Sequence, residues 1–569
     1  MKMVACILGS IAILAGSALP ASARDSPAYT TSIDSRMTLN VDLTATSEST
    51  VRQKILRESA IRLLGQQNLS FAESTSSIEI VEAFTEKPDG RRLMLDGASI
   101  LTRDAAAGLN AVYLRDAKVT TLIFPDVEVG DTLVYVSRTN RHDRRILGHF
   151  FLPIVLSQSV PYSAYHLTVD APKSVELRVH VTGNGLTHDL SEAGEIRRHV
   201  FNYEPTAWSL EEPGAVSPWD RDPQLVITTF KSMAELGAGY WSSMQGKDIV
   251  SPEIQTLADE ITKGIDSRRA QTEAIDHWVK KNIRYVMVYL GSGGMTPNPA
   301  PTVLKNKYGD CKDHVALMGA LLKAKGIASE QVLISMGNMY RLPELPVPLF
   351  NHVMLYLPEF GFYTDPTASS AAFGILPAAS YDKPVLHISD AGGRPARTPP
   401  MHPEDHVTTS RTTVTVGADG SIRGETRQVS TGVFASGARQ IAARIETQGR
   451  EKYAENQLRT LGRPGTGIFE PAMPSDFSEP FSLRGSFMLN ERLQLPLNGV
   501  RDMPIGMPVH QRPGFWPFGQ RIANRKTDFW CFAAKQVEEI EVTFSEGLPL
   551  PRKLKGNAID TKYFSYRSS

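Results

Sequence analysis

One run of sequence constrains this chain more than any other. After Tyr308-Gly309-Asp310-Cys311 come Val315, Ala316, Leu317, Met318, Ala320, Leu321 and Leu322, before Lys325-Gly326. The spacing predicts a helix over 311–325, with Asp310 at its start and Gly326 as its stop. A helix that is apolar on most sides has no face to give to water, so other elements must surround it. The neighbouring sequence supplies them. Ser251-Pro252 opens a helix that Gly264 ends, and a second helix covers 269–282 with Ile275, Trp278 and Val279 inward. A short strand follows over 284–289, then a Gly/Pro-rich loop over 291–301. Strands are expected over 331–336, 351–357 and 362–365, the last two joined by a tight turn at 358–361. Together these describe an α+β core over 230–385.

The flanks read differently. From Ser32 to Trp219, runs such as Met37-x-Leu39-x-Val41 alternate apolar with polar residues, and Gly, Pro and Asp clusters break them. That pattern predicts an antiparallel β-sandwich, placed at 24–225, with one helix near 50–64. Arg138, Arg141, Arg144 and Arg145 read as a solvated loop. Residues 389–403 are rich in Gly and Pro and read as a linker. A third, β-rich domain is expected over 403–569, with strands at 408–416, 422–429, 481–489 and 537–544 and a helix at 435–458. The whole is an α+β multidomain chain.

Lys2 and the apolar stretch from Met3 to Leu19 precede Ala21-Ser22-Ala23, a small-x-small cleavage pattern. Residues 1–23 are therefore expected to be a signal peptide, which places the mature chain in the periplasm or outside the cell. No later stretch approaches the ~20 apolar residues of a membrane span. The chain carries 61 basic and 61 acidic side chains, which argues against nucleic acid as a partner. With 41% hydrophobic and 21% charged residues it is not a disordered chain. Of three cysteines, Cys6 leaves with the leader, so an oxidising compartment meets only Cys311 and Cys531. These either pair or one is a working thiol.

Cys311 occupies the first turn of its helix, where unpaired N–H groups and the macrodipole favour a thiolate. A thiolate nucleophile needs a proton-carrying histidine, and that histidine needs an orienting partner. Asn351-His352-Val353 opens one strand and Thr364-Asp365-Pro366 ends the next. The intervening turn puts 352 opposite roughly 365–367, so His352 and Asp365 are neighbours across the ladder. The remaining polar residues have plainer readings. Asp310 and Asp313 serve as cap and first-turn charge, and His314 as a packed or capping residue. His402 and His406 are read as surface, and Cys531, between Trp530 and Phe532, as buried and inert. No residue pattern offers four metal ligands, and neither metal nor cofactor is expected.

The segment 308–313, the helix ending Lys325-Gly326-Ile327, Asn351-His352-Val353 and Asp365-Pro366-Thr367 resemble the transglutaminase-like superfamily, a papain-like cysteine fold. The layout resembles bacterial exported proteins with an N-terminal β-rich domain of unknown function before that core. The resemblance implies Cys311 as nucleophile, His352 as base and Asp365 as orienting acid. It also implies an oxyanion-hole side chain from the loop 293–298 or nearby, leaving Thr296, Asn298 and Tyr285 open. Two functions follow. The first is an exported cysteine peptidase, amidase or acyl transferase acting through a thioester on protein, peptide or cell-wall amides. The second is a catalytically silent binding or assembly module on the same fold. An open groove to Cys311 favours the first, and a groove plugged by residues 340–350 the second.

Overall fold

The computed structural model describes residues 26–105, 116–142, 148–286, 296–494, 525–546, 548, 556, 558–561 and 565–567. The leader expected over 1–23, residues 287–289 of the expected strand 284–289 and residues 291–295 of the expected loop 291–301 lie outside the described residues. Two compact units are present. One takes the chain to Ser369 together with Phe373–Pro400 and Trp516–Phe532. The other takes Ser370–Ala372, Met401–Phe515 and the chain from Ala533.

The first unit begins with an eight-stranded sheet, in the order 186–193, 196–203, 162–172, 29–39, 45–55, 132–141, 76–86 and 92–94. It is mixed rather than purely antiparallel: Tyr29–Leu39 runs parallel to Tyr162–Pro172. The two strands are far apart in sequence, and a long connection lets the chain return in the same direction. Period-two patterning decides which face is covered. Ile33, Met37 and Leu39 share one face with Val51, the cross-strand partner of Ile33. Two three-stranded sheets pack over that face. Leu152, Leu225 and Ile227 meet Met37, Leu39, Val169 and Phe201, while Leu122 meets Val51, Leu133 and Tyr135; Ile33 touches both clusters. Asp170 binds Arg36 and Arg198 through its carboxylate.

Two local expectations are corrected. Residues 45–55, with two Thr and two Ser ahead of Val51, form a strand, and only Glu58–Leu64 is helical. Arg138 and Arg141 lie on the strand Thr132–Arg141 rather than in a loop, and Arg138 pairs with Glu48 and Glu79 on the flanking strands. Arg144 and Arg145 lie outside the described residues.

The helix Cys311–Ala324 is the hub of the same unit, with every residue from Cys311 to Leu322 buried. Leu317, Leu321 and Leu322 are fully enclosed, each contributing roughly 1.5–3 kcal/mol relative to exposure. Helices Pro252–Ile261 and Arg268–Asn282 pack against it. Each starts at a serine whose hydroxyl accepts from a first-turn N–H, Ser251 from Ile254 and Ser267 from Ala270. The helix also lies on an antiparallel five-stranded sheet, in the order Phe362–Thr364, His352–Leu357, Glu330–Ile334, Pro384–Ser389, Gly392–Arg397. The linker expected over 389–403 is therefore corrected, because Gly392–Arg397 is the edge strand of this sheet. Its glycines have a packing role. A Cβ on Gly237, in the helix Met233–Met244, would sit 2.2 Å from Gly393 Cα, so two glycines permit a contact of bare backbones.

In the second unit a five-stranded sheet, in the order 465–471, 481–489, 422–430, 407–416 and 535–544, carries two helices. The single helix expected over 435–458 is broken in two, Gly432–Gln448 and Arg450–Thr460. Gly449 separates them with φ +91°, a conformation that stops the first helix. His406, expected at the surface, is buried beneath the start of the first helix, where its Nδ1 faces the Val433 N–H at 3.4 Å. His402 is exposed.

Candidate active site

The site is built at the tip of the buried helix. The Asp310 carboxylate accepts from the N–H groups of Lys312 and Asp313, and Asp313 returns the contact to Asp310 N at 3.2 Å, a complete capping box. Lys312 Nζ pairs with the Asp310 carboxylate. Burial pushes the Asp310 carboxyl up, against the pull of Lys312. Asp313 also accepts from Asn298 N at 2.7 Å and lies 3.3 Å from Asn298 Nδ2, which ties the loop before the helix to its first turn. Cys311 stands inside this frame at 9% exposure. Because Asp310 takes the N–H groups of Lys312 and Asp313, the Cys311 N–H is the first-turn donor with no partner among the described residues. His314 is held by backbone, its ring nitrogens 2.8 Å from Asp310 O and 3.2 Å from Ile283 O.

His352 opens its strand, and Asp365 follows the last residue of the neighbouring one. The register pairs Leu355 with Thr364 and Leu357 with Phe362, so the hairpin brings position 352 to the end where Asp365 emerges. His352 Nε2 lies 2.9 Å from Asp365 Oδ2. The other Asp365 oxygen accepts from Thr367 N at 2.9 Å and Thr367 Oγ1 at 2.7 Å, which fixes the carboxylate's rotation. The Cys311 side chain is close enough to His352 to add to what favours the charged ring. Cys311, His352 and Asp365 are thus brought together. Burial opposes the imidazolium, but the Asp365 charge and hydrogen bond, helped by Cys311, outweigh it and hold His352 well above the usual imidazole range. Burial likewise opposes the Asp365 carboxylate. The His352 ring and the Thr367 donors outweigh it and hold Asp365 below the usual carboxylate range.

The remaining candidates separate. Asn298 faces Asp313. Tyr285 is 41% exposed, with its ring centroid 5.8 Å from His314. Thr296 is half-buried, at the edge of the described chain. Within the segment 340–350, Leu345, Val347 and Leu349 pack on Trp219 and Val226, whereas Phe350 joins the cluster that contains Cys311. Cys531 is exposed, not buried. The rings of Trp530 and Phe532 pack edge to face at 4.9 Å.

Sequence reasoning missed three contributors. Thr367 was visible as Asp365-x-Thr367, a local turn pattern in which a carboxylate accepts from the residue two positions on. Asp276 and Lys280 stand one turn apart on the Arg268–Asn282 helix as an ion pair, 2.8 Å apart with neither side chain exposed. Their i,i+4 spacing was legible, but nothing in the sequence says that the pair faces inward. Asp276 also accepts from Thr364 Oγ1 at 2.6 Å.

Residues 255–338 match the family described as the transglutaminase-like superfamily. The central segment is transglutaminase-like. Residues 42–208 match DUF3857, a domain of unknown function. Among solved structures the chain is similar to one from Parabacteroides distasonis described as a "putative protease", with 14% identity and a TM-score of 0.58, covering 82% of this chain and 94% of that one. At that identity the likeness is one of fold. A "putative cysteine protease" from Cytophaga hutchinsonii is 12% identical over 60% of this chain and 78% of its own; its TM-score of 0.17 is too low to bear on the fold. No curated protein matches. Among the described residues no helix is long and apolar enough to cross a membrane.

Beside the site lies a cleft of about 330 Å³, lined by residues 280–285 together with Pro366, Thr367 and Ser369. It adjoins the Asp365 turn but is not lined by Cys311 or His352.

Proposed function

We propose that this protein is an exported cysteine enzyme acting on amide bonds of protein, peptide or cell-wall substrates through a thioester on Cys311. The supporting observation is that Cys311, at a helix tip, stands close to the hydrogen-bonded pair of His352, which opens its strand, and Asp365, which follows the neighbouring one. On this reading the Cys311 sulfur, having given its proton to His352, attacks the amide carbonyl carbon. The oxyanion that forms lies toward the Cys311 N–H, a donor with no competing partner. His352 then delivers its proton to the departing amine as the C–N bond breaks, leaving the thioester. Water, or a second amine, attacks the thioester carbonyl and gives a proton to His352; the C–S bond then breaks, the acid or the new amide leaves, and His352 returns the proton to the Cys311 sulfur. Asp365 does not take a proton; it holds the ring's orientation and supports the imidazolium. The proposal includes a leader at 1–23, a β-rich domain at 24–225, the core at 230–385 and a β-rich domain at 403–569.

The second reading, a silent binding module, is favoured by one observation: the cleft beside the site excludes Cys311. Treating the purified mature protein with an amide-mimetic electrophile and mapping the adduct by mass separates the two. An adduct on Cys311 that His352→Ala slows supports the enzyme. Labelling confined to the exposed Cys531 supports the module.

A further inference from the structure

Burying two charges is costly, and an apolar pair of the same volume is often as stable, so stability alone does not account for the enclosed Asp276–Lys280 pair. What the pair presents is a charged acceptor. One Asp276 oxygen meets Lys280 Nζ at 2.8 Å, and the other accepts from Thr364 Oγ1 at 2.6 Å. A carboxylate in an ion pair makes a shorter, stronger hydrogen bond than a neutral amide does.

Thr364 is the residue immediately before Asp365. The strand it ends, Phe362–Thr364, is three residues long and lies at the edge of its sheet, paired on one side only. Such an end is held by few backbone bonds and frays easily. Asp365 emerges from it and must keep its carboxylate on His352. After Asp365 the chain is fixed by Thr367, which donates twice to the carboxylate. Before Asp365 the side-chain anchor is Thr364, which reaches across to the Arg268–Asn282 helix.

We infer that Asp276, paired with Lys280, is a positioning residue: it clamps Thr364 and thereby holds Asp365 in register with His352. The inference rests on the function proposed above. It assigns to the Arg268–Asn282 helix a share in aiming the site.

The test compares Thr364→Val, which keeps the shape and removes the donor, with Thr364→Ser, which restores the donor, both in the full mature chain carrying Cys531→Ser. The readout is the rate of Cys311 alkylation by iodoacetamide between pH 5 and pH 9, with circular dichroism and a thermal melt confirming the fold. Thr364→Val should lower the rate at pH 7 about tenfold and displace the pH profile, short of the ~100-fold that a 1 Å misplacement costs, while Thr364→Ser stays within about twofold of the parent. Should Thr364→Val not fold, Asp276→Asn with Lys280→Met keeps the volume and an acceptor while removing both charges. It should move the rate the same way by less. If either folded variant melts lower but keeps the parent's rate and profile, the residues are structural and the inference is overturned. His352→Ala is the companion measurement. If it slows alkylation and Thr364→Val does not, only the positioning role fails; if it too leaves the rate unchanged, the function proposed above fails and the inference falls with it.

Discussion

His352 and Asp365 stand 13 residues apart in sequence and 2.9 Å apart in space, Nε2 to Oδ2. The Asp365 side chain is 1% exposed and that of His352 9%. Neither could be charged at that depth without the other. Their pairing also sets the orientation of the ring, because the nitrogen that faces Asp365 is not the one free for Cys311.

The pair's contribution to stability has a pH window with a definite sign. His352 is held above its unfolded value of 6.5, so its contribution is complete below that pH and fades as pH rises toward the folded value. Asp365 is held below its unfolded value of 3.8, so its contribution is complete above that pH and fades on acidification. The difference in unfolding midpoint between the parent and Asp365→Asn should therefore be widest from about pH 4 to pH 6.5 and narrow on either side. Thermal melts from pH 3 to pH 10 check it. A difference that keeps growing above pH 7 would contradict the assigned directions.

Cys311→Ala should leave the fold intact. The substitution removes one sulfur from a nearly buried position, a loss of roughly 1 kcal/mol on the scale of one buried methylene. Adduct formation at position 311 should vanish while Cys531, exposed in the native chain, still reacts. Mass mapping after electrophile treatment, with a melt alongside, distinguishes loss of the thiol from loss of the fold.

Leu321→Ala should be the severe lesion. Leu321 is fully buried in the hub helix, and truncating such a side chain loses transfer energy and leaves a cavity, typically 2–5 kcal/mol together. Denaturant unfolding followed by tryptophan fluorescence measures it. A loss below about 1 kcal/mol would mean that the helix can collapse around the gap and is less central than its burial indicates.

The hub helix was legible because an apolar run with a cap at one end and Gly326 at the other admits few alternatives. The meeting of His352 with Asp365 was legible too, because a tight turn between two short strands fixes register. The edge strand Gly392–Arg397 was not, since Gly and Pro report a loop in local statistics and only tertiary packing against Gly237 makes them useful in a sheet. The parallel pairing of Tyr29–Leu39 with Tyr162–Pro172 was hidden for a related reason: alternation reports which residues face inward, not which strand lies alongside or in which direction. The inward-facing Asp276 was missed because a charged residue on a helix ordinarily belongs to its solvated face.

Two glycine-to-alanine substitutions should have opposite signs. Both positions lie within helices, where alanine is favoured over glycine by about 1 kcal/mol from propensity alone. At Gly437, in the helix Gly432–Gln448, an added Cβ meets nothing within 4 Å, so Gly437→Ala should stabilise its unit by up to about that amount. At Gly237 the added Cβ would lie 2.2 Å from Gly393 Cα and 2.3 Å from Gly393 N. Those are backbone atoms of a paired strand and cannot swing aside as a side chain would. Gly237→Ala must therefore push the Met233–Met244 helix off the edge strand or bend that strand away from Pro384–Ser389. Overpacking of this kind costs about 1–3 kcal/mol, enough to reverse the propensity gain. Paired melts of the two variants decide it. A stabilised Gly237→Ala would mean that helix and strand are not in backbone contact, and that the Gly/Pro-rich segment is free to leave the sheet.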